Sequence, residues 1–273
     1  MPDSFAHQHF GDLVFSALPG DLKYRITPYL DLYNIGLQGP DFLFFYNPLK
    51  HNEVFAQGSA LHKQTGREFW TISADTLKTT AMDPEASLSY LLGMMCHYSM
   101  DSVCHTFVNQ YEKDHGVIHS DIEGEFDRYL MASLNLVPHE VDQVKRFRPK
   151  REYAEVIAPF TQKLDPEITY DALKGFHFWR NVFRCPHRLK RELLYAVFKA
   201  TGKYHDYRGQ IVNTEPYDGT DSSDRELYRL LHDHVHYCSD LIESFVYGTD
   251  TGDLASFFSK DGLDIPFDGL DPN

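Results

Sequence analysis

PEASLSYLLGMMCHYSMDSVCHTFVN, residues 84–109, is the stretch on which the fold turns. Apolar residues recur through it at helical spacing, and proline stands at its start, where a helix tolerates it. The spacing predicts one long helix. Residues four apart on a helix share a face, so His97, Asp101 and His105 form a single stripe. At about 1.5 Å of rise per residue, the two histidines start about 12 Å apart along the axis. Metal–ligand bonds are only about 2 Å long. One ion can therefore join His97 to Asp101 but not His97 to His105, and the spacing favours two or more ions with Asp101 between them. A lone histidine on such a helix is usually a core or surface residue. Three aligned polar groups on an apolar helix are costly to bury without partners.

Working outward, a second pair follows. His119 and Glu123 are again four apart, early in the next predicted helix (120–134), behind a short connection (110–118) that can fold that helix back beside His105. Further helices are predicted over 10–18, ending at Pro19-Gly20, and over 53–62, 139–147, 152–163, 170–183, 187–201 and 224–245. Residues 40–46 are short and apolar, and read as core. Convincing alternating strands are absent. Residues 213–223 are rich in Asp, Gly, Ser and Thr, and read as a loop. The expectation is an all-α, single-domain chain over 1–273. Its metal site falls in 1–130, supporting helices in 135–247, and an irregular tail in 248–273 lies over the helices.

Composition narrows the function. The 273 residues are 42% hydrophobic, with 20 Phe and 17 Tyr, enough to build a sizeable core. The formal net charge of −14 disfavours nucleic-acid binding, and disfavours anionic membranes unless a basic or apolar patch docks the protein. No apolar run approaches the roughly 18 residues of a membrane-spanning helix. Four cysteines are too few for a disulfide framework. Together with an N-terminus that lacks a signal-peptide pattern, this predicts a reduced, cytoplasmic protein. Cys96 and Cys104 read as small core residues beside the stripe.

The segment His97-x-x-x-Asp101-x-x-x-His105, followed by His119-x-x-x-Glu123, resembles the core signature of zinc-dependent phospholipase C proteins, whose superfamily includes zinc-dependent single-strand nucleases. Ala6-His7 with Phe10-Gly11, Gly39-Pro40-Asp41 and Leu61-His62 match further family elements in order. The likeness spans about residues 6–128. It implies an all-helical fold with three zinc ions in a cleft. It implies Asp41, His62, His97 and Asp101 around a first ion, and His105, His119 and Glu123 around a second. A third would take His7 and Asp101 with the chain's own terminal amine and carbonyl, the amine falling to Pro2 once Met1 is removed. The gap between Asp101 and His105 is shorter than in secreted members. His9 rivals His7, and His51 rivals His62. The donors are all nitrogen and oxygen, which suits two to three zinc ions but also iron, manganese or nickel.

Clustered divalent ions favour attack on phosphorus. The expected activity is phosphodiester hydrolysis on a small phosphoester or a phospholipid head group, with Asp41 and Asp101 as the catalytic carboxylates. A nuclease or phosphomonoesterase on the same ions, and a non-catalytic metal-binding protein, are the alternatives. His232, His234 and His236 read as a surface cluster, and residues 184–191, with three Arg and a Lys, as a solvated helix face.

Overall fold

The computed structural model describes residues 4–50, 52–162 and 164–272. The long central helix forms as the spacing requires. It runs Pro84–His115 (α6), with the Asp83 side chain capping Glu85 N–H, proline in the first turn and left-handed Gly116 ending it. Before it come Ser4–Ala17 (α1), Gly20–Ile26 (α2), Leu30–Gly36 (α3), Glu53–His62 (α4) and Gly66–Thr79 (α5). After it come His119–Ser133 (α7), Arg151–Ile157 (α8), Pro166–Phe183 (α9), Arg188–Ala200 (α10), Tyr204–Tyr207 (α11), Asp221–Thr251 (α12) and Ala255–Phe258 (α13). No strand occurs among the described residues, and the all-α expectation holds.

α6 is buried along most of its length, with Tyr90, Met94, Met95, Tyr98, Met100 and Cys104 all in the core. α3 crosses it where both chains carry glycine. A Cβ at Gly93 would meet the Tyr33 carbonyl at 2.1 Å, and one at Gly36 the Tyr90 carbonyl at 2.2 Å. α1 and α12 pack along α6, and α7 returns beside it. The backbone of α6 thus becomes the floor on which the other elements lay their histidines.

Several expectations need correction. Residues 139–147 contain only a 3₁₀ turn at Pro138–Glu140, followed by turns. Two buried apolar residues there, Val144 and Phe147, are too few to hold a helix. The Asp142 carboxylate also takes Val144 N–H, which favours a turn. The segment 152–163 is helical only to Ile157, with a 3₁₀ turn Ala158–Phe160; Lys163 lies outside the described residues. α2, α3 and α5 were not anticipated. α12 reaches from Asp221 to Thr251, so it takes in the end of the predicted loop and the start of the predicted tail, and the tail carries the further short helix α13.

Candidate metal centre

Five elements deliver the predicted residues to one place. α1 brings His7, the 3₁₀ turn Asp41–Phe45 brings Asp41, α4 ends on His62, α6 carries His97, Asp101 and His105, and α7 opens with His119 and Glu123. All eight candidates converge into three groups: His7, His97 and Asp101; Asp41, His62 and His97; and His105, His119 and Glu123. In each group the ligand atoms lie within 4.8 Å of one another. The separation of His97 from His105 follows the helix geometry. His97, not Asp101, is shared between the first two groups. Asp101 turns one oxygen to His7 Nε2 at 3.1 Å and the other to His97 Nε2 at 3.0 Å, with His105 Nδ1 4.0 Å from that second oxygen. Asp41 sits 3.0 Å from His62 Nε2 and 4.0 Å from His97 Nε2. Glu123 lies 2.7 Å from His119 Nε2 and 3.4 Å from His105 Nε2. His9 is not part of these groups. His51, the rival of His62, and Pro2, expected to complete the third ion, lie outside the described residues.

These residues fit metal ions on their chemistry. Both ring nitrogens of His7 and His97 and both oxygens of Asp101 are buried without an aligned hydrogen bond. Contacts near 3 Å that are not aligned as hydrogen bonds are what lone pairs aimed at a common point produce. Burial, with His97 beside it, lowers the pKa of His7 against the opposing pull of Asp101. Burial takes His105 down to about 3 and His119 to about 2. Neutral imidazole is the form that binds metal. Burial alone would raise the Asp101 carboxyl, but the field of His97, His105 and His7 holds it well below its ordinary value. Burial would lower His62 too, yet its bond to Asp41 outweighs that and brings it to about 8. A divalent cation bound among these groups would take the place of the imidazole protons and compensate the buried carboxylates.

Backbone carbonyls set the tautomers. His62 Nδ1–H donates to the Gly58 carbonyl at 2.8 Å, one turn back on α4. His105 Nδ1–H donates to the Phe267 carbonyl at 3.0 Å. Each bond turns Nε2 toward its group; His62 Nε2–H donates there to Asp41, and would give up that proton to bind a metal. Phe267 belongs to a strap, residues 265–270, that lies over α6. Its ring packs on Tyr98, Phe69, His62 and His97. Asp268 N–H donates to the His62 carbonyl and Leu270 N–H to Thr106 Oγ1, both at 3.0 Å. Gly269 takes φ +71°, and a Cβ there would meet Thr106 N at 2.4 Å.

Two further side chains escaped the sequence reading although spacing could have found them. Glu112, seven residues past His105 on the same stripe, accepts His119 N–H at 3.2 Å and lies 3.6 Å from His119 Nδ1. Asp127, four residues past Glu123, is fully buried and accepts Phe5 and Ala6 N–H at 2.9 and 2.8 Å. It caps α1 from another helix and so fixes the entry of His7.

The third group faces solvent. His119 keeps 31% of its side chain exposed. An open cleft of 670 Å³ reaches His62, His105 and His119, between walls carrying Phe44, Glu112, Lys113 and Asp268. The group around His7 and His97 lies deeper and is sealed.

A helical body that gathers three His and carboxylate groups at and beneath one open cleft is a scaffold that could hold metal. Residues 6–172 match the sequence profile of the zinc dependent phospholipase C family, and the chain belongs to that family. No curated protein and no solved structure matches it.

Proposed function

We propose that the protein is a metal-dependent phosphoester hydrolase that acts on phosphodiesters, including phospholipid head groups. The observation that carries this reading is Asp101, a buried carboxylate whose two oxygens face His7 and His97, the latter shared with the next group. Asp41, His62 and His97 would hold one ion and His105, His119 and Glu123 a second. His7 would hold a third with Asp101, which bridges. Zinc ions bound there would supply a nucleophile at neutral pH and neutralise charge on the phosphoryl oxygens. Asp41, beside His62, takes the proton released during attack. The gradation of burial gives the groups distinct duties. The sealed group of His7, His97 and Asp101 fixes charge and position, while His119 and Glu123 meet the substrate at the open end. The net charge of −14 opposes a polyanionic substrate such as a nucleic acid.

The test is elemental analysis of untagged protein purified without chelator, paired with turnover of chromogenic phosphodiesters and phosphomonoesters. Two to three ions per chain with faster diester cleavage are expected. Bound metal without turnover of any phosphoester would make this a binding protein and end the hydrolase reading.

A further inference from the structure

Helix α10 is apolar on two sides. At about 100° per residue, Leu194, Tyr195 and Phe198 fall on the side that packs against Phe183, Cys185 and Tyr207 in a small separate core. The opposite side carries Leu189, Leu193, Ala196 and Val197. Leu189 is 82% exposed, Leu193 63% and Val197 46%. These are three large apolar residues at i, i+4 and i+8, along about 12 Å of one face. A solvated face, the expectation for this region, would be polar there. Scattered exposed leucines are ordinary, but an aligned stripe marks an interaction surface.

The charge around the stripe is opposite to that of the molecule. Residues 183–203 hold six Lys and Arg against one acidic residue, Glu192, in a chain of formal net charge −14. Lys190 and Arg191 are tied to the carbonyls of Asn181, Arg184 and Cys185, which locks the root of α10 onto the end of α9. Arg188 stands outside, 90% exposed, with its Nε 3.9 Å from Glu192. Lys199 lies over the Tyr204 ring at the other end of the helix. The face is thus a rigidly mounted apolar ridge in a basic segment, with Arg188 and Lys199 near the two ends of the helix but set around its side from the ridge.

We propose that the outer face of α10 docks the protein on an anionic lipid surface. Leu189, Leu193 and Val197 enter the boundary between head groups and acyl chains, while Arg188 and Lys199 stay among the anionic head groups. A second copy of the chain is a poorer occupant. A two-fold interface sets the same patch against itself, and here it would oppose cations to cations. The surface lies outside the family match over residues 6–172, and its binding needs no turnover, so it stands whether or not the hydrolase reading does.

The experiment is co-sedimentation of the full-length, metal-loaded protein with vesicles of mixed phosphatidylserine and phosphatidylcholine, and with vesicles of phosphatidylcholine alone. Binding to the mixed vesicles, weakened by salt, is expected. The double variant Leu189→Asp/Leu193→Asp should lose it by about tenfold or more. Arg188→Glu/Lys199→Glu should lose it comparably and flatten its salt dependence. Both should keep the wild-type circular dichroism, metal content and turnover of a soluble phosphoester. Absence of wild-type binding to the mixed vesicles would overturn the proposal, as would unchanged binding by the folded leucine variant. A concentration-dependent dimer in light scattering, lost in that variant and without vesicle binding, would overturn it in favour of self-association.

Discussion

Asp101 is the residue on which the centre's charge depends. Asp101→Asn keeps the shape but replaces an anionic oxygen with an amide N–H aimed at imidazole lone pairs. The variant should lose at least one equivalent of metal, and its turnover should fall by about 100-fold or more. Full metal content with near-normal turnover would remove Asp101 from the centre. A second buried carboxylate behaves differently. Asp224 sits in the first turn of α12, where the helix dipole favours an anion. Burial, reinforced by Glu125 nearby, still pushes its pKa up to about 7. Its proton is therefore held in the folded state between about pH 4 and 7, while the unfolded chain has already released it. The contribution to stability falls as pH rises through that window, and the penalty is complete above it. Asp224→Asn should raise the melting temperature at pH 7.5 by a few degrees, corresponding to about 1 kcal/mol or more, and change little at pH 4. A thermal denaturation series from pH 4 to 8 decides it; equal melting temperatures at pH 7.5 would show that the native site solvates the charge. At this scale helical spacing alone aligns 97 with 101 and 105, and 119 with 123, whereas His7, Asp41 and His62 became candidates only through the family resemblance. The sequence could not disclose the Gly58 and Phe267 carbonyls, since a backbone oxygen has no residue type. Glu112 and Asp127 were legible in principle, as they extend the same two stripes.

Among the elements, the strap over α6 was the least legible. Its sequence is a Gly- and Asp-rich tail with scattered aromatics, and only the folded α6 gives Phe267 a place to pack. Gly269 lets the strap approach, through both its positive φ and its missing side chain. Gly269→Ala should lift the strap, release His105 Nδ1–H, and weaken metal at the His105, His119 and Glu123 group by about 10- to 100-fold. The helical signal should remain intact. Competition with a zinc chelator measures this; unaltered affinity in a folded variant would leave the strap without a part in the centre. Elsewhere, element length decided what could be read. α6 and α12 are long enough for periodicity to identify them unaided. α2 and α3 have seven residues each, below the length at which a helix sustains itself, and they exist because α6 offers a surface. α5 was readable, since Thr65 and Glu68 form a capping box.

Across the whole molecule, the candidate ligands come from α1, the turn at Asp41, α4, α6 and α7, elements that reach from residue 4 to residue 133. Ions held among them cross-link most of the first half of the chain. The folded state alone presents the assembled groups, so bound metal adds stability by mass action, by about 4 kcal/mol when free metal exceeds the dissociation constant a thousandfold. For a domain of this size each kcal/mol is worth about 2–4 °C. Chelation should therefore lower the melting temperature by about 10 °C, and added zinc should restore it. The loss should be uneven. The core around Phe183, Cys185, Phe198 and Ile211 is separate from the main one and contains no candidate ligand. In hydrogen exchange, chelation should accelerate amides of α1, α4 and the paired parts of α6 and α7, while α10 changes little. Stripping the metal with no shift in melting temperature would mean that packing alone assembles the centre. Uniform acceleration through α10 would instead mean that the two cores unfold as one cooperative unit.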